Sequence, residues 1–140
     1  MPEMINELTL EAKVENLNQA LAFIDDQLDA VDCPMKKRFQ IDVAVEELFV
    51  NVAHYAYTPN TGSVTIRMDL LEKPRAVVIT FIDSGIPYNP LAKEDPDVSL
   101  SAEERSIGGL GIFMVKKTMD KMEYEYTDQK NVLKMYKNIE

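Results

Sequence analysis

A chain of 140 residues with 46% hydrophobic content has enough apolar material for one compact core and little room for a second, so residues 1–140 are read as a single domain. Its net charge of −9 argues against direct nucleic-acid binding, which depends on neutralising phosphates with Lys and Arg, while leaving room for a nucleotide held by backbone amides or a few local groups. The one cysteine, Cys33, excludes an intramolecular disulfide and makes a cytoplasmic setting the simplest expectation; its acidic surroundings in Val31-Asp32-Cys33-Pro34 argue against a catalytic thiolate.

Residues 5–12 alternate imperfectly, with Ile5, Leu8, Leu10 and Ala12 between polar positions, and read as a strand. No basic segment with a long apolar run precedes them, so no signal peptide is expected. Residues 15–30 carry Leu17, Leu21, Ile24 and Leu28 at helical spacing, and Asp32 to Pro34 ends that helix. A second helix is expected from about Lys36 to Tyr57, followed by a turn in Thr58-Pro59-Asn60-Thr61-Gly62. Val64 to Leu70 alternates cleanly, as a strand with one buried face does. Ala76 to Ile82 is almost wholly apolar, as a central strand is, and the two should pair as an antiparallel hairpin.

Residues 86–107 hold Pro87, Pro90 and Pro96, several acids and few apolar groups, the composition of a long functional loop. Gly109 to Lys121 reads as a helix with Ile112, Val115 and Met119 on one side. Met122 to Tyr126 and Val132 to Tyr136 read as a closing hairpin, with Asp128 to Asn131 as its turn. No apolar stretch approaches the ~20 residues of a membrane span. The expected architecture is α+β: a two-layer sandwich of about five strands, mixed but mostly antiparallel, with helices on one face.

Three short elements carry chemistry. On the second helix, Ile41, Val45, Leu48, Val52 and Tyr55 form a stripe suited to the sheet, and Glu47, Asn51 and His54 a polar stripe along its edge, with Val43 and Val50 beyond. Polar groups flanked by apolar residues on both sides suit a cleft. An amide oxygen at Asn51 is a suitable hard ligand for Mg²⁺. A carboxylate at Glu47, one turn away, is placed to accept a proton from an attacking hydroxyl or water. A plain helix with a buried amide and an exposed acid has the same spacing. His54, the only histidine, is either a phosphate contact or a satisfied helix-edge residue, and no second His or Cys accompanies it to make a metal site.

Asp83 ends the apolar strand, with Gly85 two residues on. An acid in an apolar pocket would select a base bearing an amino group, and the glycine would let the backbone pass close to it; a simple strand-ending turn reads the same way. Gly108-Gly109-Leu110-Gly111 opens an apolar helix, where free amides and the helix dipole favour phosphate. It matches neither the P-loop nor the dinucleotide fingerprint, and a hinge after a loop remains open as its role.

With these residues in view, the chain resembles the ATP-binding superfamily of gyrase, the heat-shock chaperone, sensor histidine kinases and mismatch-repair ATPases, with its Bergerat α/β sandwich. The short chain, with Asn51-Val52-Ala53-His54-Tyr55-Ala56-Tyr57 and Gly108-Gly109-Leu110-Gly111-Ile112, resembles the bacterial anti-sigma-factor serine/threonine kinases over essentially its whole length. That resemblance implies ATP and Mg²⁺ as cofactors. It implies Glu47 as the acid activating the substrate hydroxyl, Asn51 as the Mg²⁺ ligand, Asp83 with Gly85 as the adenine-reading pair, Gly109 and Gly111 as phosphate contacts, and residues 86–107 as a lid. The implied reaction is transfer of the ATP γ-phosphoryl group to a serine or threonine of an anti-anti-sigma antagonist, with a sigma factor as further partner. Family members often dimerise. The alternative is an ATP-binding module that captures partners with little or no transfer. One departure stands out: Lys130-Asn131-Val132 replaces the Gly-Thr found there in many superfamily members, which puts one adenine-side contact in question.

Overall fold

The computed structural model describes residues 6–57, 60–92 and 109–140. Five strands, β1 (Asn6–Glu11), β2 (Ser63–Glu72), β3 (Arg75–Asp83), β4 (Lys121–Thr127) and β5 (Lys130–Asn138), form one sheet in the order β1-β2-β3-β5-β4. All four pairings are antiparallel, so the sheet is not mixed. Three helices, α1 (Leu17–Ala30), α2 (Met35–Tyr55) and α3 (Gly109–Thr118), cover one face, giving the two-layer α+β sandwich. Among the described residues, no helix is long and apolar enough to cross a membrane.

Alternation dictates which side chains meet the helices. Ile66 of β2 lies opposite Phe81 of β3, which lies opposite Leu133 of β5, and Met68, Ile79 and Met135 form the next row. All six are buried, beneath Ile24 and Leu28 of α1 and Ile41, Val45, Leu48 and Phe49 of α2. The row nearest the end of β3 is Val64, Asp83 and Asn131, on the same helix-facing side. The period of two that buries Phe81 and Ile79 therefore carries Asp83 under α2. On the opposite face Ala76, Val78 and Thr80 are also buried, as an apolar central strand requires, with Arg67 and Lys134 flanking Thr80.

Several boundaries differ from the sequence reading by a residue or more, and three have a structural cause. Asp128 and Gln129 have φ of 52° and 62°, and Thr127 pairs with Lys130, so the last hairpin turns on two residues. Asn131 consequently belongs to β5, not to the turn. Helix α2 ends at Tyr55, because Tyr57 leaves it to bridge two strands: its hydroxyl donates to Ser63 O at 2.7 Å and accepts from Ser84 N at 2.7 Å. Helix α3 ends at Thr118, whose carbonyl accepts from Lys137 Nζ of β5. Of the lid, only residues 86–92 lie among the described residues, ending in a short turn at Pro90–Ala92.

Where α1 meets α2, three acids surround one guanidinium. Arg38 pairs with Asp25 and Asp29, and Asp42 hydrogen-bonds Asp25. Burial, then the hydrogen bond and charge of Asp25, raise the Asp42 carboxyl from 3.8 to about 7, against the pull of Arg38. The folded chain thus holds a proton on this pair across a window where the unfolded chain has lost it. That contribution is full below the ordinary aspartate value and is lost as pH rises through about 7. Thermal denaturation from pH 5 to pH 8 should show stability falling with pH, with a shallower fall in Asp42→Asn; equal slopes in both proteins would refute the assignment.

Candidate functional site

A cleft of about 420 Å³, including open space at its mouth, lies between the C-terminal half of α2 and the Asp83 end of β3. Its floor is Phe81, Leu133 and Leu48, and its polar groups include Asn51, Asp83 and Asn131. Mainly apolar walls with a few converging polar atoms are the usual makeup of a small-molecule site.

Asp83 is 7% exposed. Its Oδ1 accepts from Gly85 N at 2.9 Å and from Asn131 Nδ2 at 2.9 Å. Both hydrogen bonds among the described residues fall on this one oxygen, which satisfies the buried group while leaving Oδ2 uncommitted. The turn at Gly85 is tight: a Cβ there would stand 2.2 Å from Ala56 O and 2.6 Å from its Cβ. Only glycine lets the chain leave β3 this close to α2, where Ile86 N donates to Ala56 O at 2.9 Å.

The second group of residues sits at the start of α3. A Cβ on Gly111 would lie 2.0 Å from Glu47 Oε2, so the missing side chain is what makes room for that carboxylate against the first turn of the helix. Glu47 is half-buried, and burial, with a smaller push from Glu46, raises its carboxyl above the usual glutamate range. Asn51, half-buried and one turn along α2, lines the cleft. Neither the Glu47 carboxylate nor the Asn51 amide is engaged by another described residue. Two polar groups without partners among the described residues, beside a cleft, suit a ligand, and an amide oxygen with a nearby carboxylate is a donor set that fits a hard divalent ion.

The sequence-derived residues thus fall into two groups: Asn51, Asp83 and Gly85 around the cleft, and Glu47 with Gly111 at the helix start. Gly109 and Leu110 open α3. Gly108 lies outside the described residues. His54 is exposed on α2 and does not line the cleft; its ring meets Tyr55 edge-on at 6.1 Å. Tyr55 itself turns from the sheet to the mouth of the cleft, 41% exposed and 6.3 Å from the Tyr88 ring. Val43 is exposed as well, so the apolar flank beyond the polar stripe is open to solvent there.

Sequence reasoning missed Tyr88 and Tyr124 as lining residues and did not recognise Asn131 as a hub. Asn131 is 6% exposed, and besides Asp83 its Nδ2 donates to Ile86 O at 2.9 Å. Its Oδ1 accepts from Tyr88 N at 3.0 Å and from the Tyr124 hydroxyl. The departure at Lys130-Asn131-Val132 was the available signal.

Comparison with known proteins finds similar chains and a similar fold. Over 127 residues, 91% of this chain and 87% of the relative, it is 26% identical to the Anti-sigma F factor of Caldanaerobacter subterraneus. It is also 26% identical over 96 residues, 69% of this chain and 67% of the relative, to the Serine/threonine-protein kinase BtrW of Bordetella bronchiseptica. The Serine-protein kinase RsbW of Bacillus mycoides is 25% identical over 65% of this chain and 58% of its own. A crystal structure of RsbU and RsbW domains from Mycobacterium tuberculosis shares the fold, with TM-score 0.70 and 13% identity over 99% of this chain and 33% of that longer one. Residues 10–137 match the model of the histidine kinase-like ATPase domain, and the chain belongs to that family.

Proposed function

We propose that the protein is an ATP-dependent serine/threonine kinase of the anti-sigma type. It transfers the ATP γ-phosphoryl group to a Ser or Thr of an anti-anti-sigma antagonist in the cytoplasm and binds a sigma factor that the unphosphorylated antagonist releases. The observation that carries this reading is the half-buried Glu47 carboxylate, seated against the first turn of α3 and one helical turn from Asn51, with neither side chain engaged by another described residue. A partner-capture module has no need of a half-buried base in that position.

In this reading Asp83 accepts from the amino group of adenine, with Phe81 and Leu133 beneath the ring. The amides at the start of α3, at Gly109 to Gly111, receive the phosphates. Asn51 offers its amide oxygen to Mg²⁺, which when bound offsets phosphate charge and orients the transferred group. Glu47 takes the proton of the substrate hydroxyl as its oxygen bonds to the γ-phosphorus and the bond to the β-phosphate oxygen breaks, releasing ADP. The raised Glu47 carboxyl suits this role, because a base is more effective when its pKa lies closer to the working pH.

Calorimetric titration of ATP with and without Mg²⁺, on the native chain and Asn51→Ala, tests the site. Native affinity should rise with Mg²⁺, and the variant should lose about tenfold or more of the metal-dependent part while keeping its metal-free affinity. Absence of ATP binding to the native chain in both conditions would refute the kinase reading.

A further inference from the structure

Asn131 has saturated its hydrogen-bonding capacity. Its amide carries two N–H groups and two acceptor lone pairs, and four partners take them: Asp83 Oδ1, Ile86 O, Tyr88 N and the Tyr124 hydroxyl. These partners lie on β3, on the segment that follows it and on β4, and every residue in the set lines the cleft. The side chain is buried at the end of the helix-facing row, directly opposite Asp83 in the strand register.

We propose that Asn131 is the specificity-positioning residue of this cleft: it turns Asp83 into a single-oxygen acceptor and, through the same amide, fixes the wall at Ile86–Tyr88 against which the base must fit. The inference rests on the nucleotide reading above and goes beyond it. With Oδ1 held by Asn131 and Gly85 N, the carboxylate cannot rotate without breaking a buried hydrogen bond, so Oδ2 is presented in one place. A purine with an amino group at position 6 donates to that oxygen; one with a carbonyl there sets acceptor against acceptor. The wall is held by the same residue, because the Asn131 amide bonds both Ile86 O and Tyr88 N, adding to the bond from Ile86 N to Ala56 O. Asparagine is suited to this position by its two-sided chemistry. A threonine has one donor for Asp83 and Ile86 O to share, and an aspartate would place a second acid beside the first.

The experiment compares ATP with inosine triphosphate, which carries a carbonyl in place of the amino group, in titrations of the native chain, Asn131→Ala and Asn131→Thr. The native chain should prefer ATP by ~100-fold or more, and Asn131→Ala should shrink that preference by ~10-fold or more. Asn131→Thr, which keeps a hydroxyl in the buried position, gives the same test should the alanine variant fail to fold, and its preference should be intermediate. Hydrogen exchange at the Tyr88 amide should accelerate in either variant. Equal loss of both nucleotides, with the native ratio kept, would overturn the specificity role, and an unchanged Tyr88 amide would overturn the tether. Lack of ATP binding to the native chain would remove the function reading and this inference together; native binding with an unaltered ratio removes the inference alone.

Discussion

Glu47→Gln is expected to reduce phosphoryl transfer by ~10²–10⁴-fold, the usual contribution of a positioned general base, with ATP affinity nearly unchanged. The substitution keeps the shape that fills the space at Gly111 and removes only the capacity to take a proton. Transfer is read as labelled phosphate reaching a captured antagonist, or as basal ATP turnover where no antagonist is in hand. The pH profile is a second signature. The base works ionised, so the native rate falls as pH drops through the Glu47 carboxyl, which burial holds above the ordinary glutamate range. This acid limb should vanish in Glu47→Gln. Native turnover in the variant would show that Glu47 is not the base.

Asp83→Ala is expected to weaken ATP binding by ~100-fold or more, because it removes the one acidic side chain among the described residues that line a mainly apolar cleft. It also leaves Gly85 N and one Asn131 N–H without their acceptor, a loss of about 1–3 kcal/mol per unsatisfied buried group. Thermal denaturation beside calorimetry separates the two effects: a modest drop in Tm with binding largely gone supports the role of Asp83. Affinity within about threefold of native, against the tenfold that 1.4 kcal/mol represents, would show that the base is read elsewhere.

Much of this molecule was visible in its residue pattern. The apolar run of β3, the alternation of β2 and the helical spacing of Ile41, Val45 and Leu48 each reflect a single local period, and each element is present with shifted ends. Asp83 was legible because a lone acid ending an apolar strand is conspicuous. Asn131 was not, for two reasons. The turn boundary hid it, since the left-handed conformations of Asp128 and Gln129 close the hairpin earlier than turn-forming residue types suggest. Its partners Asp83, Ile86 and Tyr88 are also distant in sequence, and a hub defined by strand register leaves no local period to detect. The contact between Glu47 and the start of α3 was equally hidden, because it depends on how two helices pack.

The pairing of Asp83 with Asn131 also bears on how the chain folds. These residues are 48 positions apart, and the strands carrying them become neighbours only after α3 and the segment before it have been passed over. A pairing of such separation must meet its loop-closure cost before it is rewarded, so the Asp83 end of the cleft is expected to form late in assembly. Partly folded chains would therefore lack the nucleotide pocket altogether, and ATP would add its binding free energy to the completed state alone. In a cell that couples this protein to its nucleotide pool, falling ATP would lower the abundance of the folded form as well as its occupancy.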